Sequence, residues 1–91
     1  TCILHYHAND RQLRDGDLLL VDAGCEYDYY ASDITRTYPV NGRFAPEQRA
    51  IYEVVLEAHA AAIAAVGPGR SWGEPHDAAV RAVARGLRRL G

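Results

Sequence analysis

Apolar and polar positions change their spacing twice along this chain, and each change marks an element. Residues 17–25, Asp-Leu-Leu-Leu-Val-Asp-Ala-Gly-Cys, form a short apolar run that follows the turn-like Arg14-Asp15-Gly16 and is broken by one acid, Asp22. That pattern predicts a buried strand. Residues 29–38 are rich in β-branched and aromatic types and run into Pro39, which predicts a second strand, and Asn41-Gly42 then turns the chain. From Pro46 the apolar residues Ile51, Val54, Val55, Ala58, Ala62 and Ala65 recur at helical spacing, with Pro46 in the first turn and Gly67-Pro68 as the stop. A second helix is expected from Ser71, which with Glu74 three residues on has the form of a capping box. Val80, Val83, Leu87 and Leu90 supply its apolar stripe, while Pro75 blurs its start.

The order strand, strand, helix, helix, with no internal repeat and no linker, predicts one α+β unit. At 91 residues, 48% hydrophobic and 24% charged, the chain fits a single soluble globular domain with a modest core. It opens on Thr-Cys-Ile-Leu and stops on the helix-like Arg88-Arg89-Leu90-Gly91, so it reads as a piece of a longer protein. No leader pattern is present, and the longest apolar run, Ala60 to Val66, is too short to cross a bilayer. A cytoplasmic location and no membrane partner are the corresponding expectations. Cys2 and Cys25 lack C-x-x-C spacing and read as two free structural thiols.

Net charge is -2, with acids gathered between Asp10 and Asp33 and arginines at 81, 85, 88 and 89. The arginines alternate with Val83 and Leu87, as the solvated side of an amphipathic helix does, so nucleic acid is not expected as a partner. The acidic half is a different matter. A tight hairpin centred between Tyr27 and Asp28 puts Asp22 directly opposite Asp33, with both carboxylates on one face. Directly opposed side chains have Cβ atoms about 4.5–5.5 Å apart, and like charges so placed are destabilising. A shared proton is one remedy, but it usually accompanies a D-T/S-G signature, absent here. Divalent cations are another, and one carboxylate can bridge two ions about 3.5–4 Å apart. The alternative is structural: Asp22 caps backbone amides at a strand end and Asp33 pairs with Arg36 or another arginine. Spacing alone does not choose between them, because a bulge would undo the register.

The residues themselves match a known pattern. Ile3-Leu4-His5-Tyr6, Asp15-Gly16-Asp17, Val21-Asp22-Ala23-Gly24-Cys25-Glu26-Tyr27, Ala31-Ser32-Asp33-Ile34-Thr35-Arg36-Thr37 and Pro39-Val40-Asn41-Gly42 together resemble the Xaa-Pro aminopeptidases. These are pita-bread metallopeptidases related to prolidases and methionine aminopeptidases. The resemblance runs the length of the chain, including the helix after Pro46-Glu47-Gln48-Arg49, and the two aspartates set ten residues apart inside D-A-G and S-D-I-T-R-T are its most specific part.

The resemblance implies a fold, a site and a reaction. The fold is the first part of a pita-bread catalytic domain, a hairpin followed by two helices, with residues 1–91 as the N-terminal half. Two divalent ions, Mn²⁺ foremost, are held by five ligands. Asp22 would chelate one ion and Asp33 would bridge both, while a histidine and two glutamates beyond Gly91 complete the set. His5 would stand beside the metals and help bind substrate or stabilise the oxyanion. Thr35 and Thr37, on the hairpin face of Asp33, would orient the carboxylates, a role that strand propensity alone rivals. The implied chemistry is hydrolysis by a metal-bridging water of the bond before proline in second position of a peptide. The chain alone is expected to be inactive, and homo-oligomerisation of the parent stays open.

Three readings compete: a prolidase acting on Xaa-Pro dipeptides, a pita-bread binding module that has lost its metals, and an inert truncated product. Trp72, Tyr27, Tyr29 and Tyr30 are expected in core or rim packing rather than in a substrate pocket. His7, His59 and His76 carry no motif.

Overall fold

The structure, a computed structural model, describes residue 3 and residues 5–91. It divides into two compact units, residues 1–44 and residues 45–91.

The first unit is an antiparallel hairpin in which the second expected strand is cut in two and a short extra strand follows the first. Strand β1 (Leu18–Ala23) pairs with β4 (Ile34–Pro39), and the short β2 (Glu26–Tyr27) pairs with β3 (Tyr30–Ala31). One register runs through both ladders, from Leu18 opposite Pro39 to Tyr27 opposite Tyr30. The turn residues are Asp28 and Tyr29, at φ +53° and +68°. Positive φ at both central positions is the signature of the type I′ turn, whose twist matches that of the flanking strands. Glu26 supports it by accepting the Tyr29 N–H at 2.7 Å.

This corrects the expected register. Moving the turn by one residue moves every cross-strand partner by two, so Asp22 lies opposite Thr35 and not opposite Asp33. A shift of two keeps each side chain on its face, because strand side chains alternate with period two.

At the other end of the hairpin, two turns are tied together. Gly16, at φ +85°, closes the first turn, in which Asp17 N–H donates to the Arg14 carbonyl at 3.1 Å. Asn41 Nδ2 in the second reaches Asp15 Oδ1 at 2.7 Å, and Val40 N–H reaches the Asp17 carbonyl at 3.0 Å. The expectation that β1 is buried is not met. Leu18, Leu19, Leu20 and Val21 are 37–47% exposed, on both faces of the strand, because this unit is a lone hairpin with no helix layer of its own.

The second unit is a pair of helices, α1 (Pro46–Ala64) and α2 (Gly73–Leu90). Proline at N1 starts α1, and Gln48 Oε1 accepts the Ala45 N–H at 2.9 Å, the half of a capping box that an alanine N-cap allows. Helix α2 begins two residues later than expected. Ser71 precedes the helix, and its N–H donates to Glu74 Oε1 at 2.9 Å, while Arg70 Nη1 holds the other carboxylate oxygen at 3.0 Å. That N–H donation, with the Arg70 contact second, holds the Glu74 carboxyl below its ordinary value.

The helices meet through small residues. Val54, Ala58 and Ala82 are buried, and Gly86 lies against Val54, whose Cγ2 would be 2.7 Å from any added Cβ. Close approach at Gly86 turns that side of α2 inward, so the stripe read from the sequence is only partly used: Val83 is half-buried, whereas Val80, Leu87 and Leu90 are 45–52% exposed. Glu57 of α1 pairs with Arg89 at 3.3 Å and Arg85 at 4.0 Å, which places two of the clustered arginines on the solvated edge of the pair. No helix of the described residues is long and apolar enough to cross a membrane.

Candidate metal centre

Asp22 sits within β1, and Asp33 immediately precedes β4. Asp22 opposes Thr35, and Asp33 is two residues from Thr35 along the same chain segment, so by register the two aspartates are diagonal neighbours across the hairpin. Diagonal pairs on a regular hairpin are about 7–8 Å apart, wider than directly opposed ones. The wider spacing weakens the repulsion and leaves room between the carboxylates.

The two acids differ in their partners. Thr35 Oγ1 donates to Asp22 Oδ1 at 2.8 Å, which ties that carboxylate to the opposite strand. Asp33 has no hydrogen bond or ion pair to any described residue. Arg36, the partner that a structural reading would give it, donates instead through Nη1 to the Thr35 carbonyl at 2.7 Å. Backbone capping by Asp22 and an Asp33–Arg36 pair are therefore not what this hairpin adopts.

Thr37 shares the face and is half-buried, but its hydroxyl bonds neither carboxylate. His5 is exposed, at φ +58°, with no hydrogen bond to Asp22 or Asp33, so the described residues do not bring it to them. Trp72, Tyr27, Tyr29 and Tyr30 are 82–98% exposed rather than packed. The reason is positional: the tyrosines surround a two-residue turn at the tip of a lone hairpin, and Trp72 precedes a helix. Cys25 is a free thiol, and Cys2 lies outside the described residues.

Sequence reasoning missed the join between the two ladders. Cys25 and Ser32 occupy opposed positions there, and Ser32 N–H donates to the Cys25 carbonyl at 2.8 Å. The return bond is unusual: Cys25 N–H donates at 3.2 Å to the Ser32 hydroxyl. The Ser32 carbonyl has swung toward Gly24, where an added Cβ would be 2.9 Å from the carbonyl carbon and closer still to its oxygen. A glycine across from Asp33, beside the position that opposes a serine, was the available signal.

As a donor set, two carboxylates with oxygens to spare suit hard or borderline divalent ions such as Mn²⁺, Mg²⁺ or Ca²⁺. They make up part of a site, and no group of three or more His, Cys, Asp or Glu side chains that could hold an ion occurs among the described residues.

Metallopeptidase family M24 matches residues 1–91. The chain belongs to metallopeptidase family M24. An Xaa-Pro aminopeptidase of Haemophilus influenzae is 56% identical over 90 residues, 99% of this chain and 21% of that protein. The structure of Pseudomonas aeruginosa aminopeptidase PepP superposes with a TM-score of 0.93 at 64% identity, over 99% of this chain and 20% of that one. Prolidase from Pyrococcus furiosus superposes with a TM-score of 0.76 at 41% identity, over 84% of this chain and 22% of that one. The M24 chain thus spans about a fifth of the length of the relatives it matches. Its architecture is α+β, an antiparallel hairpin followed by two helices, the first part of a pita-bread fold.

Proposed function

We propose that this chain is the N-terminal half of the catalytic domain of a metal-dependent aminopeptidase that removes the residue preceding a proline in second position. The observation that carries this reading is the contrast between the aspartates. One carboxylate is held by Thr35 and the other has no hydrogen bond or ion pair among the described residues, two positions from Thr35 along the same hairpin arm. The room between the two acids and their oxygen donor set support divalent cations.

Asp22 and Asp33 would hold the ions, with Mn²⁺ our choice among the divalent metals and the remaining ligands in the rest of the longer protein. When bound, such a pair of cations lowers the pKa of a shared water and polarises the substrate carbonyl. The chain's own residues do the positioning. Thr35 fixes the direction in which Asp22 offers its free oxygen, and Asp33, unencumbered, is available on both of its oxygens. His5 is assigned to the substrate side, where an exposed imidazole can donate to a developing oxyanion.

A prolidase is the second reading, supported by the Pyrococcus furiosus superposition, which covers less of this chain at a lower TM-score than the aminopeptidase does. The deciding experiment gives the full-length protein an Xaa-Pro-Yaa tripeptide and an Xaa-Pro dipeptide with Mn²⁺, beside its Asp33→Asn variant. We expect tripeptide turnover that the substitution abolishes. Turnover of the dipeptide alone would make the protein a prolidase, and metal-replete protein inert on both would leave a binding module that has lost its catalysis.

A further inference from the structure

The join between the two ladders lies next to Asp33, and its geometry has a consequence for that residue. In an ordinary antiparallel ladder, an opposed hydrogen-bonded pair exchanges both N–H···O=C bonds. Cys25 and Ser32 keep one of the two, from Ser32 N–H to the Cys25 carbonyl at 2.8 Å. For the other, the Ser32 side-chain hydroxyl has replaced its backbone carbonyl as acceptor of the Cys25 N–H, at 3.2 Å. The same hydroxyl is 3.5 Å from the Cys25 carbonyl oxygen and 3.5 Å from Cys25 Sγ.

The displaced carbonyl occupies the space where a side chain at position 24 would stand. Gly24 has none, and an ideal Cβ built there would overlap the Ser32 carbonyl oxygen and come within 3.4 Å of Asp33 Cα. The peptide group whose carbonyl has turned out of the ladder is the one that joins Ser32 to Asp33. Its plane sets the position of the Asp33 N and Cα, and hence the direction of the Asp33 side chain. The ladder is interrupted only here: β1 ends at Ala23, β4 begins at Ile34, and the register is the same on both sides.

We propose that Ser32 is a positioning residue for Asp33, its hydroxyl replacing the backbone acceptor of Cys25 N–H so that the Ser32–Asp33 peptide can turn into the space left by Gly24. The inference rests on the reading of Asp33 as a metal ligand. Removing the hydroxyl leaves Cys25 N–H to recapture the Ser32 carbonyl, which turns the peptide back and moves Asp33. Loss of a group that orients a ligand typically costs about 10–100-fold in metal affinity.

The test uses the metal-free full-length protein and measures Mn²⁺ binding by calorimetry and by electron paramagnetic resonance, with no substrate present. We expect Ser32→Ala to weaken Mn²⁺ binding about tenfold or more and to alter the resonance spectrum. Ser32→Thr, which keeps the hydroxyl on a strand-compatible side chain, should restore both. Gly24→Ala should weaken binding at least as much as Ser32→Ala while far-ultraviolet circular dichroism stays native. Unchanged affinity in Ser32→Ala overturns the proposal, as does equal weakening in Ser32→Ala and Ser32→Thr. Asp33→Asn separates this from the underlying reading: if that variant binds Mn²⁺ as the parent does, Asp33 is not a ligand, whatever Ser32 does.

Discussion

Thr35 is the residue whose contribution can be isolated most cleanly. Its hydroxyl makes one bond of interest, to Asp22 Oδ1 at 2.8 Å, and its Cβ branch suits the strand in any case. Thr35→Val keeps shape and strand preference and removes only the donor. We expect Mn²⁺ affinity of the full-length protein to fall about tenfold with its denaturation midpoint little changed, read by calorimetry and by urea titration. A fall in stability with unchanged affinity would make Thr35 a strand residue and nothing more. Thr37 serves as the internal control. It lies on the same face but bonds neither carboxylate, so Thr37→Val should leave Mn²⁺ affinity alone. The two threonines look alike in the sequence, and register alone separates them, because only Thr35 stands opposite Asp22.

At the scale of elements, the helix pair depends on one glycine. Glycine inside a helix costs about 1 kcal/mol relative to alanine, so Gly86 has to be offset by packing. The offset is its contact with Val54, a β-branched side chain with little rotameric freedom to yield. Gly86→Ala gains helix propensity and forces a methyl into the Val54 side chain. Overpacking of this kind costs about 1–3 kcal/mol and exceeds the gain. The expected outcome is a lower urea midpoint, recovered in part by the double variant Gly86→Ala with Val54→Ala. The limits of α1 and the existence of the strands are legible because they follow from periodicity, proline and glycine within a few residues. The face of α2 that packs was not, since Val80, Leu87 and Leu90 look like the better stripe until small residues admit a close neighbour. The hairpin register was missed for a comparable reason. Asp28 and Tyr29 do not announce a type I′ turn as Asn-Gly would.

Across the whole molecule, the dominant feature is apolar surface without cover. Leu18 to Val21 in the hairpin and Ile51, Val55 and Ile63 on α1 are 37–60% exposed. In relatives about five times longer, the matching stretch is accompanied by the rest of the protein. We therefore expect the 91-residue chain expressed alone to self-associate, to bind Mn²⁺ weakly through two carboxylates with water filling the shell, and to hydrolyse no Xaa-Pro peptide. Light scattering, calorimetry and a peptidase assay check these three outcomes, and hydrolysis by the isolated chain would overturn the last. The sequence by itself determined the element order, the α+β class and the family, because periodicity and motif spacing are local and survive a small error in register. Only the tertiary structure decided that Asp22 faces Thr35, that Asp33 has no partner among the described residues, and that Ser32 lends its hydroxyl to the ladder. Each of those depends on where the chain turns and on which atoms come within about 3 Å across it, a distance at which a shift of one residue in the turn changes every partner.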